Sequence, residues 1–366
     1  MRRGAAISGC GAGGKFGFGP AGRAHLAAIL LLLLAWAGSL SWLVSFSADP
    51  QKLVQVRNAL FARVAPKSEF LWTPENAPRS FQQEGGRSPA AFSEVVNELL
   101  GKGGAHLNEW DKALRLARHL SDGTKVKGRA IQTDTVSAYL AIRRTGGGYC
   151  SDYSQVLNGL AYAAGIAVRE WGMSFGDFSG DGHAFNEIYD AARGKWMFLD
   201  SFFSFYVLDA NTGIPLSVLE LAETLRGGSG RERVRVEFID EEAFSFPDRD
   251  AALNYYRRGA DRLFLGLANN VLEYDRHPVV RWAAKFGRTA EQVAAMVCGM
   301  APRLLIVKTD TNGDAIWALR LTAAGFFLSL LVFLSTTAGL GLVGVRALRR
   351  QGVRGGPSSR GGARGW

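Results

Sequence analysis

The chain has 366 residues, 47% of them hydrophobic, and a formal net charge of +10 at neutral pH. The basic excess lies in the two tails: residues 1–25 carry four basic side chains, residues 346–366 carry six, and neither tail contains an acidic residue. Because these ten charges equal the whole excess, the region between the tails is balanced, and no nucleic-acid-binding domain is expected. The three cysteines are far apart and the five histidines are scattered, so no metal site is expected either.

One uncharged segment follows the N-terminal tail, and another precedes the C-terminal tail. Residues 26–46 and 321–345 each reach the length of about 20 residues that a helix needs to cross a bilayer. Basic side chains flank both segments on their tail sides, so the positive-inside rule predicts that the glycine-rich tails 1–25 and 346–366 are cytoplasmic. Residues 47–320 are then predicted to lie outside the membrane, on the periplasmic or other extracytoplasmic side.

A cleavable signal peptide is the alternative interpretation of the first segment. Ala35-Trp36-Ala37 has the small-x-small form of a cleavage site and follows a leucine-rich run. The apolar character continues for nine further residues to Phe46, which favours an uncleaved membrane anchor. Under both interpretations the central region is exported.

The exported region begins with a proline-containing stretch, residues 47–88, which is predicted to be a linker with a short helix near residues 51–63. Three helices are then predicted from the spacing of apolar residues: 89–100, 108–120 and 133–144. A fourth helix is predicted to begin at Cys150 and to end at Gly165.

The composition then changes toward that of β-strands. Three short segments rich in β-branched and aromatic residues are predicted to be strands: 166–175, 183–189 and 195–200. This succession of helices and then strands predicts an α+β fold for a domain at residues 89–215. Residues 216–320 are interpreted as a mostly helical extension.

Cys150 is the candidate nucleophile. It follows three glycines, Gly146–Gly148, and its predicted position at a helix N-terminus places it beside unpaired backbone N–H groups. Those groups and the positive end of the helix dipole favour the thiolate, which is the reactive form of cysteine. The same amides can stabilise the oxyanion that forms when a thiolate attacks a carbonyl group.

His183 and Asp200 are the candidate partners of this thiol. His183 stands at the start of one predicted strand, and Asp200 ends the next one. If the two strands pair in antiparallel fashion, the histidine lies opposite the aspartate. Asp200 can then hold the imidazole through its second nitrogen, as the third member of a catalytic triad does.

The ordered set of motifs resembles the transglutaminase-like superfamily, with its G-x-C at a helix start, G-H-A before an aromatic residue, and W-x-x-L-D. The matching stretches are Gly148-Tyr149-Cys150, Gly182-His183-Ala184-Phe185 and Trp196-Met197-Phe198-Leu199-Asp200. The intervals, 33 residues from cysteine to histidine and 17 from histidine to aspartate, are similar to those of compact bacterial members. The resemblance implies a papain-like core, in which the helix bearing the cysteine packs on an antiparallel sheet, here flanked by two transmembrane helices.

The same resemblance implies catalytic roles for Cys150, His183 and Asp200. Phe185 departs from the family pattern, which often has tryptophan at that place. No side chain that completes an oxyanion hole is evident, and three residues near the nucleophile are candidates for supporting the oxyanion: Gln132, Tyr149 and Ser151.

Two alternatives compete with this site. A disulfide between Cys150 and Cys298 would remove the nucleophile, since an exported domain meets an oxidising environment. Cys298 lies in an apolar helical run, however, which favours a buried thiol. Asp181 and Glu187 are alternatives to Asp200, but neither has the W-x-x-L-D context.

The resemblance implies a membrane-anchored cysteine enzyme that attacks a peptide or carboxamide bond of a peptide or protein substrate through an acyl-enzyme. Hydrolysis is expected rather than cross-linking, and this chemistry requires no metal or organic cofactor. The alternative is a catalytically silent domain that binds a peptide or a cell-envelope polymer, or that scaffolds a membrane assembly. The partners expected besides the substrate are the lipid bilayer and components of the cell envelope.

Overall fold

The computed structural model describes the following residues: 20–48, 50–104, 106–121, 131, 133–227 and 230–354. They divide into two units. The first comprises the described residues before position 49 and from 324 onward, and the second comprises residues 50–323.

The described residues form these α-helices: α1 Pro20–Ala48, α2 Pro50–Phe61, α3 Ala90–Gly104, α4 Glu109–Ser121, α5 Thr135–Thr145, α6 Cys150–Ala163, α7 Val218–Arg226, α8 Arg249–Gly259, α9 Val271–Arg276, α10 Pro278–Ala284, α11 Arg288–Val297 and α12 Gly313–Arg354. The β-strands are β1 Ala62–Ala65, β2 Gln82–Gln83, β3 Val168–Ser174, β4 Gly182–Asp190, β5 Lys195–Leu199, β6 Phe205–Asp209, β7 Val234–Phe238, β8 Leu263–Gly266, β9 Ala268–Asn269 and β10 Leu304–Val307. The predicted α+β class is confirmed.

The first unit consists of α1 and the C-terminal part of α12. Both helices are long and apolar enough to cross a membrane, over Arg23–Ser45 and Gly313–Arg349. Within this unit the indole Nε1 of Trp36 donates a hydrogen bond to Oγ1 of Thr337 at 3.0 Å, and the indole stacks on Phe333. A polar group in an apolar environment needs such a partner. The two candidate spans are compatible with a two-pass membrane protein.

The second unit is built on a six-stranded sheet with the order β1-β10-β8-β3-β4-β5. Neighbouring strands are antiparallel except β1 and β10, which are parallel, so the sheet is mixed at one edge rather than wholly antiparallel as expected. β1 comes from the predicted linker, and β8 and β10 come from the predicted helical extension. β8 covers the edge of β3, which would otherwise present unpaired backbone groups, and β10 and β1 continue the sheet beyond it. Residues 50–323 are therefore one compact unit in the structure.

Helices α4 and α6 pack on one face of this sheet, and α3 and α5 pack against them. Leu157 and Leu160 of α6 are fully buried in the same apolar cluster as Ile188 of β4 and Met197 of β5. Since side chains alternate along a strand, only one set of residues on β4 and β5 meets α6. The helix that begins at Cys150 is thereby fixed against the two strands that carry His183 and lead to Asp200.

The opposite face of the sheet packs against α7 and α8. Phe185 of β4 and Phe198 of β5 share a buried cluster with Leu221 of α7 and Tyr256 of α8. This cluster is rich in aromatic rings, and Tyr256 lies within 5.2–5.5 Å of the rings of Phe185, Phe198 and Phe205, centroid to centroid. The side chains at the ends of β4 and β5 are therefore enclosed from both sides.

A buried ion pair links β3 to β4. Nε of Arg169 lies 2.6 Å from Oε2 of Glu187, and both side chains are almost completely buried. Glu187 also accepts hydrogen bonds from the indole of Trp171 at 2.5 Å and from the amide of Val218 at 2.7 Å. Arg169 donates a further bond to the carbonyl oxygen of Phe70. Because both charges have several partners, the cost of their burial is offset, and the pair holds α7 on the sheet.

Breaking this pair should destabilise the fold. We expect Glu187→Gln to lower the free energy of unfolding by about 3 kcal/mol, because Arg169 keeps its buried charge without a counter-ion. Denaturant unfolding of the full chain in detergent, followed by tryptophan fluorescence, measures the change. The control is Glu237→Gln, which removes a partly exposed ion pair with Arg235 and should cost less than about 0.5 kcal/mol. Equal losses in the two variants would contradict the role of the buried pair.

Candidate active site

The candidate nucleophile is the first residue of α6. Gly148 has a φ of 116°, which a residue with a side chain rarely adopts, so the chain reverses sharply before the helix. The carboxylate of Asp152, in the first turn, accepts hydrogen bonds from the amides of Tyr149 at 2.7 Å and Ile131 at 3.1 Å. These contacts fix the point at which the helix begins, and the thiol of Cys150 is partly exposed there.

Backbone amides adjoin this thiol. The carbonyl of Tyr149 accepts from the amide of Asp152 at 3.0 Å, which is the first hydrogen bond of the helix. Among the described residues no acceptor is found for the amides of Cys150 and Ser151. The start of an α-helix leaves such N–H groups unpaired, so these two amides can receive an oxyanion.

The imidazole of His183 is enclosed by aromatic rings. The residue lies on β4, paired in the ladder with Met173 of β3, and only 4% of its surface is exposed. The ring of Phe203 is the nearest, with a centroid distance of 4.7 Å. Four further rings have centroids 5.6–5.9 Å away: Phe185, Phe202, Tyr255 and Tyr256. This enclosure restricts the ring to one orientation and keeps water from most of it.

His183 is bound to Asp200, with 2.7 Å between Nε2 and Oδ2. The β4–β5 ladder ends at the pair Asn186–Leu199, so the two residues are not opposite each other in the ladder as predicted. Their side chains instead meet beyond the end of the ladder, where the chain leaves β5. The prediction that Asp200 holds one nitrogen of the imidazole agrees with this geometry.

Asp200 is fully buried and begins a tight turn. Its Oδ1 accepts hydrogen bonds from the amides of Phe202 at 2.9 Å and Phe203 at 3.0 Å, the local pattern by which aspartate stabilises a turn. Its Oδ2 accepts a second bond, from the hydroxyl of Tyr256 at 2.5 Å. Four donors therefore surround the carboxylate, as a buried anion requires.

These contacts determine the protonation of the site. Burial lowers the pKa of His183, but the charge and hydrogen bond of Asp200 raise it, Cys150 raises it further, and the pKa reaches about 9. Burial raises the pKa of Asp200, but His183, Tyr256 and Phe203 hold it below its usual value. Asp200 therefore favours the cationic form of His183. Because Asp200 occupies Nε2, Nδ1 is the nitrogen left to exchange a proton with the thiol.

Neither alternative to Asp200 is hydrogen-bonded to His183 among the described contacts. Glu187 is bound to Arg169, and Asp181 is exposed. Cys150 and Cys298 are both free thiols in the structure, so the alternative disulfide is not formed there.

The three residues predicted to support the oxyanion differ in where they lie. Tyr149 precedes α6, and 46% of its surface is exposed. Ser151 adjoins the thiol through its backbone amide. Gln132 lies outside the described residues.

The region that holds these three residues matches the model of a known protein family. The model of the transglutaminase-like superfamily matches residues 95–201, a range that holds Cys150, His183 and Asp200. The chain contains a transglutaminase-like domain. Comparisons with curated proteins and with solved structures gave no significant match.

Sequence analysis of the transglutaminase-like domain missed the groups that hold Asp200. The hydroxyl of Tyr256 comes from α8, beyond the matched range, and a tyrosine on an amphipathic helix is indistinguishable from an ordinary core residue. The amides of Phe202 and Phe203 were detectable in principle, because an aspartate at the end of a strand commonly bonds to amides two and three residues later.

The raised pKa of His183 predicts a pH-dependent stability. This pKa is about 6.5 in an unfolded chain and about 9 in the fold. The cation therefore contributes stability that is fully present below pH about 6.5 and is lost as the pH rises through about 9. We expect the melting temperature of the Cys150→Ala chain, which keeps Asp200 but loses the further rise that Cys150 gives, to fall over an interval that begins near pH 6.5 and ends below pH 9.

The matched variant carries Asp200→Asn in addition. Without the carboxylate, burial alone acts on His183, and the fall in melting temperature over this interval should be much smaller. The same fall in both variants would show that another group causes it.

Proposed function

We propose that the chain is a membrane-anchored transglutaminase-like cysteine enzyme that cleaves peptide or carboxamide bonds through an acyl-enzyme. The observation that carries this proposal is the buried contact between Nε2 of His183 and Asp200, together with the interaction of the same imidazole with the thiol of Cys150 at a helix start. The carboxylate keeps the imidazole protonated, and this imidazolium is the counter-ion that a thiolate nucleophile needs. The proposed substrate is a peptide or protein on the outer side of the membrane.

The first half of the proposed reaction is acylation. The thiolate of Cys150 attacks the carbonyl carbon, a C–S bond forms, and the carbonyl oxygen takes up the displaced electron pair. The amides of Cys150 and Ser151 donate hydrogen bonds to this oxyanion. When the oxyanion collapses, the C–N bond breaks, and the leaving amine takes the proton from Nδ1 of His183. The products are an amine and a thioester at Cys150.

The second half is deacylation. Neutral His183 accepts a proton from water at Nδ1, and the resulting hydroxide attacks the thioester carbon. The C–S bond breaks, the carboxylic acid leaves, and the thiolate–imidazolium pair is restored. An amine in place of water would give a cross-linked product. Hydrolysis is proposed because water needs no acceptor site of its own.

The proposed topology has both tails in the cytoplasm and the transglutaminase-like domain outside. The two apolar helices support the anchoring, and the basic tails support the orientation. A fluorescent protein that folds only in the cytoplasm should therefore fluoresce when fused after Trp366. The same protein inserted at the exposed turn Asn211–Gly213 should remain dark. Fluorescence of the second fusion would place the domain in the cytoplasm.

The test of the enzyme proposal is thiol alkylation of the full chain as a function of pH. We expect iodoacetamide to label Cys150 rapidly at pH 6, where an ordinary thiol with a pKa of about 8.5 is almost fully protonated. His183→Ala should slow this labelling at least about tenfold, because the cation beside the thiolate is lost. Peptide mapping by mass spectrometry separates Cys150 from Cys298, which serves as an internal reference.

Asp200→Asn should also slow the labelling, and Asp181→Asn is its matched control, since Asp181 is an exposed carboxylate near the same site. Labelling of Cys150 at the rate of an ordinary thiol, unaffected by His183→Ala, would contradict the proposal. It would favour a catalytically silent domain that binds a peptide or envelope polymer.

A further inference from the structure

We propose that Tyr256 is a positioning residue for the site, a fourth member that acts on His183 through Asp200. The effect of Tyr256 on catalysis rests on the proposed function, whereas its hydrogen bond to Asp200 does not depend on that proposal. Tyr256 lies on α8, outside the range that matches the family model, so the match alone does not include it.

The hydroxyl of Tyr256 and the imidazole of His183 bind the same oxygen. The hydroxyl donates to Oδ2 of Asp200 at 2.5 Å, and Nε2 of His183 lies 2.7 Å from that oxygen. The position of Oδ2 is therefore fixed from two directions, and this in turn fixes the orientation of the imidazole that is bonded to it. The tyrosine and histidine rings also contact each other edge to face, with centroids 5.9 Å apart.

The surroundings of Tyr256 indicate that its hydroxyl, rather than its ring, is what distinguishes tyrosine from phenylalanine at this position. The ring is 4% exposed and packs against the aromatic rings of Phe185, Phe198 and Phe205. A phenylalanine would make these ring contacts equally well. Burying a hydroxyl costs free energy unless it finds an acceptor, and among the described residues the acceptor is Asp200.

The hydroxyl has two effects on the pair of Asp200 and His183. It adds a donor to a buried carboxylate, which stabilises the anion. It also directs the positive end of the O–H dipole at Oδ2, which weakens the attraction between the carboxylate and the imidazolium. Tyr256 therefore holds the carboxylate in place and keeps the imidazole a weaker base than Asp200 alone would make it.

Other charged groups near His183 are few among the described residues. Asp200 and Cys150 act on it directly, and the second neighbouring tyrosine, Tyr255, is itself influenced by Asp181 and Arg258. Substituting phenylalanine for Tyr256 leaves all of these groups in place. A change in the titration of His183 can then be assigned to the deleted hydroxyl.

The experiment compares Tyr256→Phe with wild type, as the full chain in detergent micelles. NMR of the ¹³C-labelled histidine Cε1 follows the titration of His183, which is assigned with His183→Ala. We expect this titration to move to higher pH by about half a unit. We also expect deacylation after reaction with p-nitrophenyl acetate to slow about tenfold, the size of one hydrogen bond to a charged group.

The matched control is Tyr274→Phe, which deletes another hydroxyl bound to a carboxylate, that of Glu291 at 3.0 Å, and its described partners include neither His183 nor Asp200. It should leave both readouts unchanged. The resonances of His119 and His277 report whether each variant remains folded.

The outcomes separate the two proposals. A wild-type chain that is not acylated, but whose His183 titration still shifts in Tyr256→Phe, would overturn the proposed function and support the positioning role. A folded Tyr256→Phe chain with wild-type titration of His183 and wild-type deacylation would overturn the positioning role.

Discussion

A fully buried carboxylate must be surrounded by donors, and the arrangement of the second unit around Asp200 follows from that constraint. The donors come from different parts of the fold: His183 from β4, the amides of Phe202 and Phe203 from the turn after β5, and Tyr256 from α8. If any of these parts were displaced, the anion would lose partners that water cannot replace in the interior. This anion raises the pKa of the imidazole, so the chemistry proposed for the thiol depends on it.

This constraint explains why the compact unit is larger than the range matched by the family model. α8 reaches Asp200 from the sheet face opposite α6, and β8, the strand after α8, bonds to the edge of β3. A short connection thus fixes α8 against the strands that it serves. The buried pair of Arg169 and Glu187 joins β3 to β4 and caps α7, which stabilises the same face.

The sequence predicted the elements whose signals are local. Glycines before Cys150 and at Gly165 mark the ends of α6, and alternating aromatic residues mark β4 and β5, so the three motif-bearing elements were placed correctly. The strands β1, β8 and β10 were not predicted, because segments of four residues are too short to show a clear periodicity. The contact of Tyr256 with Asp200 could not be predicted either, since only the folding of α8 onto the sheet brings the two together. The contact between His183 and Asp200 likewise forms beyond the end of the β4–β5 ladder, so it depends on the turn after β5.

The most direct test of the account is whether Cys150 forms an acyl-enzyme. The full chain would be mixed with p-nitrophenyl acetate at pH 7, quenched with acid within seconds, and examined by intact mass and peptide mapping. We expect a burst of close to one p-nitrophenolate per chain, and a single acetyl group on Cys150 that disappears in His183→Ala. Absence of a burst, or acetyl groups distributed equally between Cys150 and Cys298 in both proteins, would contradict it.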